Sequence, residues 1–287
     1  MKRKFIPLSG GLAMLCIIGP IVKAQEFKEH IKKEFTVQKA STSVLAIYDL
    51  EGSINVEGYA GDKVVLEIDK VISAKTEELV ETGKKEFRLE FEQKSDSIIV
   101  YIAEPYDSRP HTGPHWDDRR RIEYRYDLEF TIKVPYDMNL DIRTVNRGDV
   151  TIKDVSGALK AHNVNGGIAI VNAKGATEAR TINGPVTINY LSVPRDSSFY
   201  YTLNGKLEVT YPAALSANIQ FKSMNGAFYT DFTDTEVLPV VVTKNVETGS
   251  KGTLYRLDVA RRVKFGNGGA VFKFETMNGN IYVKKQS

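Results

Sequence analysis

The chain has 287 residues, with 39 lysines and arginines against 36 aspartates and glutamates, 42% hydrophobic residues and one cysteine. That length holds one large domain or two small ones and a real core. The composition excludes disorder, collagen and a disulfide scaffold, and the near-neutral charge leaves nucleic-acid binding without an electrostatic argument.

The first 24 residues read as an export signal. Lys2, Arg3 and Lys4 precede an apolar stretch through Leu12, Leu15, Ile17 and Ile18, and Pro20 leads into the small-residue pattern Val22-Lys23-Ala24. Cleavage is expected after Ala24. Losing Lys2, Arg3, Lys4 and Lys23 lowers the basic count from 39 to 35, against 36 acids. An uncleaved anchor is the alternative, since nothing between Phe5 and Val22 is charged, but Gly10, Gly11, Gly19 and Pro20 weaken such a helix. Cys16 follows Leu15 rather than a small residue, which argues against lipoprotein processing, and without Cys16 the exported chain has no thiol chemistry. No later stretch is long and apolar enough to span a bilayer. The expected location is therefore periplasmic, cell-surface or secreted.

Residues 63–71 alternate like a strand, and Glu77-Glu78-Leu79-Val80 predicts a short helix capped by Ser73. Residues 88–92 and 97–103 read as strands paired around a turn at 94–96. Residues 104–121, with Pro105, Pro110, Gly113 and Pro114, form a predicted mobile loop before another strand at 124–134.

A repeat then takes over. Gly148, Gly157, Gly166, Gly175 and Gly184 are nine residues apart. Two and four residues after most of them stand apolar pairs, among them Val150 with Ile152, Leu159 with Ala161, Ile168 with Ile170, and Val186 with Ile188. Gly52, Gly205, Gly226 and Gly279 carry the same pattern at wider spacing. Each unit is a turn plus a short strand with one buried face, too small to cover that face alone, so neighbours must stack. Two units make an 18-residue coil. Its corner is marked by Asn165-Gly166, Asn183-Gly184, Asn204-Gly205, Asn225-Gly226 and Asn278-Gly279, read here as positions that require left-handed backbone. The fold this predicts is all-β: a parallel β-helix over residues 25–287, one domain with insertions at about 104–121 and 231–262. In the later insertion, 240–242 and 254–259 are expected to pair across a turn at 249–252. The alternative is an antiparallel β-sandwich or meander, with Asn-Gly as hairpin turns.

The runs Thr181-Ile182-Asn183-Gly184-Pro185-Val186-Thr187-Ile188 and Thr276-Met277-Asn278-Gly279-Asn280-Ile281-Tyr282-Val283 resemble the repeat of the bacterial putative-adhesin domain family of unknown function. Phe130-Thr131-Ile132-Lys133-Val134-Pro135 resembles that family's entry into its repeats. The resemblance implies an exported, right-handed parallel β-helix related to auto-transporter adhesin-head domains, with no established enzymatic role. Val145-Asn146-Arg147-Gly148 departs from it, because Arg147 splits the Asn-Gly pair and predicts a bulge.

His111, His115, Asp117 and Asp118 form the one cluster that invites metal chemistry. The prolines around them and Arg119, Arg120 and Arg121 beside them oppose a fixed cation site. His30 and His162 are isolated. Glu77 with Glu78 and Asp117 with Asp118 are adjacent acids that point apart, unlike a glycosidase pair. Phe199, Tyr200, Tyr201, Tyr190, Tyr211, Tyr229 and Tyr282 offer either sugar platforms or a stiffening aromatic ladder, and the ladder is the commoner use. Gly266-Asn267-Gly268-Gly269 introduces a strand rather than a helix, so it is not a phosphate loop. No catalytic, cofactor or metal residue is assigned. The expected function is a non-enzymatic envelope or surface protein with an adhesin-like or structural role, its partner an envelope protein or surface polysaccharide. The alternative is a carbohydrate-active β-helix enzyme, a polysaccharide hydrolase or lyase.

Overall fold

The computed structural model describes residues 25–110, 121–249 and 252–287. They form an all-β structure of two mixed sheets, whose inward apolar residues make one continuous core. The chain runs through β1 (Gln25–Thr36), β2 (Val44–Tyr48), β3 (Ile54–Tyr59), β4 (Lys63–Ala74), helix α1 (Glu77–Glu86), β5 (Arg88–Gln93), β6 (Ser97–Glu104) and β7 (Arg125–Pro135). The repeat region supplies β8 (Asn139–Arg143), β9 (Val150–Lys153), β10 (Leu159–His162), β11 (Ile168–Ala173), β12 (Thr177–Asn183), β13 (Val186–Tyr190), β14 (Ser198–Asn204) and β15 (Leu207–Tyr211). It closes with β16 (Ala217–Asn225), β17 (Phe228–Thr230), the long hairpin β18 (Thr235–Gly249) and β19 (Gly252–Phe265), then β20 (Val271–Asn278) and β21 (Ile281–Lys285).

The first sheet has the order β1-β4-β7-β3-β9-β11-β13-β15-β21-β17, and the second β18-β19-β16-β20-β14-β12-β10-β8-β2-β6-β5. From β6 to β17 every connection crosses between sheets, so each rung consists of a strand in the second sheet followed by one in the first. Neighbouring rungs pair in parallel. Val150, Ile168 and Val186 lie side by side, as do Ala169 and Thr187. Antiparallel pairing is confined to the ends, at β1–β4–β7, β5–β6 and β18–β19–β16. The sandwich description thus fits the two layers. The strands flanking Asn183-Gly184, however, belong to different sheets and form no hairpin.

Inward positions at period two stack along the layers. Ile152, Ile170, Ile188, Val209 and Val283 are at most 1% exposed, and burial of each such side chain contributes about 1.5–3 kcal/mol. Beside them Tyr190 and Tyr211, and from the facing sheet Tyr200, are fully buried. The Tyr200 hydroxyl lies 2.9 Å from that of Tyr190 and 3.0 Å from that of Tyr211. Burial pushes all three phenols upward, so they stay neutral. These tyrosines are core, as the ladder reading expected.

Rung order is not chain order. The C-terminal rung β20–β21 sits between β14–β15 and β16–β17, and β2–β3 sits between β6–β7 and β8–β9.

The Asn-Gly corners differ from the expectation. The described glycines with positive φ are Gly52, Gly266, Gly268 and Gly269, so none of the five Asn-Gly glycines is left-handed. Glycine is required there by close approach. A Cβ on Gly184 would stand 2.2 Å from the Gly166 carbonyl oxygen, and one on Gly205 would stand 2.1 Å from that of Gly184, distances no side chain tolerates. Asparagine is required by a ladder. The Nδ2 groups of Asn225, Asn278, Asn204, Asn183 and Asn165 donate in turn to Oδ1 of Asn278, Asn204, Asn183, Asn165 and Asn146, at 2.7–2.8 Å. Asn146 ends the series by donating to Glu51 Oε1 at 3.0 Å. Two residues before the corner asparagine, a polar side chain donates to the stacked glycine carbonyl, as Thr181 does to Gly166 and Thr202 to Gly184, both at 2.8 Å. At the irregular corner Arg147 is the extra residue, at φ 63°.

Elsewhere the sequence expectations are adjusted locally. Helix α1 is capped by Thr76, whose hydroxyl accepts from the Leu79 amide at 3.4 Å, while Ser73 belongs to β4. Of the loop at 104–121, Ser108 is pinned to the Ile102 amide at 2.8 Å and the Tyr48 carbonyl at 2.6 Å. Arg109 lies over the Tyr101 ring. That stretch is anchored rather than loose. The pairing across 249–252 extends the full length of β18 and β19.

Candidate functional site

Period-two alternation puts every second residue of the repeat strands on the outside. On the second sheet, parallel register aligns these residues into rows. One row is Asp141, Lys160, Glu178, Phe199 and Lys273; the next is Arg143, His162, Arg180, Tyr201 and Glu275. Part of these rows, Lys160, Glu178, Arg180, Phe199, Lys273 and Glu275, lines a trough of about 540 Å³.

The polar groups hold one another in place. Arg143 grips Asp141 with both Nε and Nη2, at 2.8 and 2.9 Å. This pairing raises the guanidinium pKa. Arg180 Nε lies 2.6 Å from Glu178 Oε1, and its guanidinium stands 4.5 Å above the Phe199 ring. Phe199 and Tyr201 stack at 6.3 Å. His162 is half-buried, 3.3 Å from Glu178 Oε1; burial first, then Arg143, lowers its pKa, so it is neutral at pH 7. Such a surface offers stacking faces and forked donors at a regular spacing, the equipment for gripping an extended polar polymer.

A second concavity of about 690 Å³ lies near the β2–β3 corner, lined by Leu50, Glu51, Tyr106, Tyr124, Tyr126 and Arg147 among others. Behind it Asp49 is 2% exposed. Its carboxylate accepts from the Leu50 and Glu51 amides and lies 3.4 Å from the Thr144 hydroxyl, but Oδ1 has no partner among the described residues. Burial pushes this carboxyl up to about 7. Asp127 is also raised by burial, tempered by Arg147 at 3.4 Å.

The other residues singled out by sequence do not converge. His111, His115, Asp117 and Asp118, with Arg119 and Arg120, lie outside the described residues. His30 Nδ1 meets Asp69 Oδ1 at 2.7 Å on the exposed β1–β4 edge, far from His162 in the other sheet. Glu77 and Glu78 occupy the first turn of α1, where negative charge suits the helix end. Tyr229 and Tyr282 stack 5.1 Å apart on β17 and β21. Among the described residues no cluster of three metal-ligating side chains is present, and no helix is long and apolar enough to cross a membrane. Asp49 carried no sequence signal of its own. It becomes visible only when Asp49-Leu50-Glu51-Gly52 is aligned with the Thr-x-Asn-Gly corners.

No protein-family model matches the chain, and no curated protein does. Two solved structures are similar to it. One is a putative cell adhesion protein from Clostridium sporogenes, at 12% identity and a TM-score of 0.43, covering 91% of this chain and 100% of that one. The other is a putative adhesin from Bacteroides fragilis, at 10% identity and a TM-score of 0.30, covering 90% of this chain and 97% of that one.

Proposed function

We propose that the chain is an exported, non-enzymatic β-solenoid that acts as an adhesin-like protein of the cell envelope, binding a surface polysaccharide along the outer face of its second sheet. The observation that carries this reading is the pair of regular outward rows, in which Arg180, Phe199 and Tyr201 stand among alternating charges on a stiff parallel frame. A linear polymer presents a repeat, and rungs about 4.8 Å apart present one back. The 18-residue register and the crossing of sheets at each turn support the solenoid, and the basic, apolar, small-residue pattern of residues 1–24 supports export.

The test is retention of envelope polysaccharide fractions by the immobilised protein, compared with its Phe199→Ala/Tyr201→Ala variant. Removing both aromatic faces takes away the stacking surface and its buried apolar area, so retention should fall about tenfold or more. Equal retention by both proteins removes the trough from the account. Release of shortened oligosaccharides would replace it with the carbohydrate-active alternative. N-terminal sequencing of protein recovered from the envelope tests export: the chain should begin at Gln25, whereas one beginning at Met1 and released only by detergent is anchored.

A further inference from the structure

We propose that the open end of the rung stack, residues 223–230, is a strand-addition site for an extended partner segment bearing the same Thr-x-Asn-Gly motif followed by alternating apolar residues. The corner ladders point to it. Every asparagine donates toward the β2–β3 end, so Asn225 at the other end gives its Nδ2 to Asn278 while its own Oδ1 receives no donor from the described residues. Each glycine on the stack abuts the carbonyl of its neighbour; Gly226 presses on Gly279, a Cβ there meeting that oxygen at 1.8 Å, and its far side is exposed.

The backbone edge is equally unfinished. β17 closes the order of the first sheet with β21 on one side and no described strand on the other. β19 covers β16 only over Ala217 to Phe221. The inward side chains of this last rung are therefore incompletely covered. Phe221 and Phe228 stack 4.3 Å apart and, with Ser223, Met224, Gly226 and Arg261, border a cavity of about 540 Å³. The equivalent inward residues one rung in, Ile281 and Phe274, are fully buried.

The opposite end is closed to the same chemistry. There β1 pairs along β4 over twelve residues with Lys28, Glu29, Lys32 and Lys33 exposed, and the ladder stops on Glu51, which accepts but does not donate. A folded second copy has no free Thr-x-Asn-Gly rung to offer except its own open end, so the occupant is an unpaired segment of another protein. Its asparagine would fill Asn225 Oδ1, its glycine would clear the Gly226 carbonyl, and its apolar residues would cover Phe221 and Phe228. This inference does not rest on the polysaccharide trough.

The probe is a labelled peptide of residues 181–190, Thr-Ile-Asn-Gly-Pro-Val-Thr-Ile-Asn-Tyr, titrated into the purified protein by fluorescence anisotropy. Saturable binding is expected, weakened by at least about tenfold when the peptide carries Gly184→Ala or Asn183→Leu, each of which removes one required contact. Those variants leave the protein untouched. On the protein side Asn225→Leu, an exposed position at the end of the ladder, should weaken binding by at least about tenfold while the protein still melts cooperatively, and Lys160→Ala, on β10 away from this end, should leave binding as it was. Absence of binding, equal binding by the Gly184→Ala peptide, loss of binding with Lys160→Ala, or a protein dimer that excludes the peptide would each overturn the proposal.

Discussion

Asp49 occupies the position that Thr144, Thr181, Thr202 and Thr276 hold in other rungs, and it replaces their neutral hydroxyl with a buried acid. Asp49→Asn keeps the shape, keeps a carbonyl oxygen for the Leu50 and Glu51 amides, and removes the charge. The native carboxyl rises from 3.8 to about 7 because of burial. At about 1.4 kcal/mol per pH unit, ionising it inside the fold costs about 4 kcal/mol. The folded state holds this proton over a range in which the unfolded state has released it. Stability therefore falls as pH rises from about 4 to about 7, and the full penalty applies above that. Asp127 and Glu129, also raised by burial, slope the same way. Urea denaturation at pH 4, 6 and 8 should find the Asp49→Asn variant close to the native protein at pH 4 and more stable by about 2–4 kcal/mol at pH 8. A difference independent of pH, or a less stable variant at pH 8, would refute the assignment of a buried acid that desolvation keeps protonated.

Ile170→Asp buries an unpaired carboxylate at a position 1% exposed and should abolish cooperative folding, whereas Thr187→Asp on the exposed face should cost under about 0.5 kcal/mol; circular dichroism melts distinguish them. Cysteines at Ala169 and Thr187, which pair across parallel strands, should form a disulfide under mild oxidation, seen as a mobility shift that reductant reverses. Gly205→Ala puts a methyl 2.1 Å from the Gly184 carbonyl oxygen and should lower the melting midpoint through a strain of about 1–3 kcal/mol, although the backbone there is not left-handed.

The nine-residue glycine spacing made the short strands legible, because Val186, Ile188 and Tyr190 share one parity and Thr187 the other. The same parity separates buried Tyr200 from outward Phe199 and Tyr201. The cause of the Asn-Gly corners was not legible: local preference points to left-handed turns, while the actual constraints are a glycine stack and an asparagine ladder that exist only between rungs. β1 was missed because Phe27, Ile31 and Phe35 stand four apart rather than two, and β2 because Leu45, Ala46 and Ile47 are buried in succession, so neither shows period-two alternation. The trough was out of reach for a related reason. Glu178 and Phe199 are 21 residues apart and Tyr201 and Glu275 are 74 apart, and only the order of rungs makes each pair neighbours.

That order has a consequence for how the protein comes into being. In most stacked repeats the last segment made is the last added, and losing it merely shortens the array. Here residues 271–285, which follow β16–β17 and the β18–β19 hairpin in the chain, form an internal layer, with β14–β15 on one side and β16–β17 on the other. A chain stopped before Val271 lacks no end piece; it has a gap in its middle, and the layer beyond the gap keeps only the β18–β19 hairpin for support. Completion of the core waits on residues 271–285, although β16 and β17 precede them in the chain, and in the folded protein β20 and β21 are clamped from both sides, so unfolding cannot begin by peeling them from the edge.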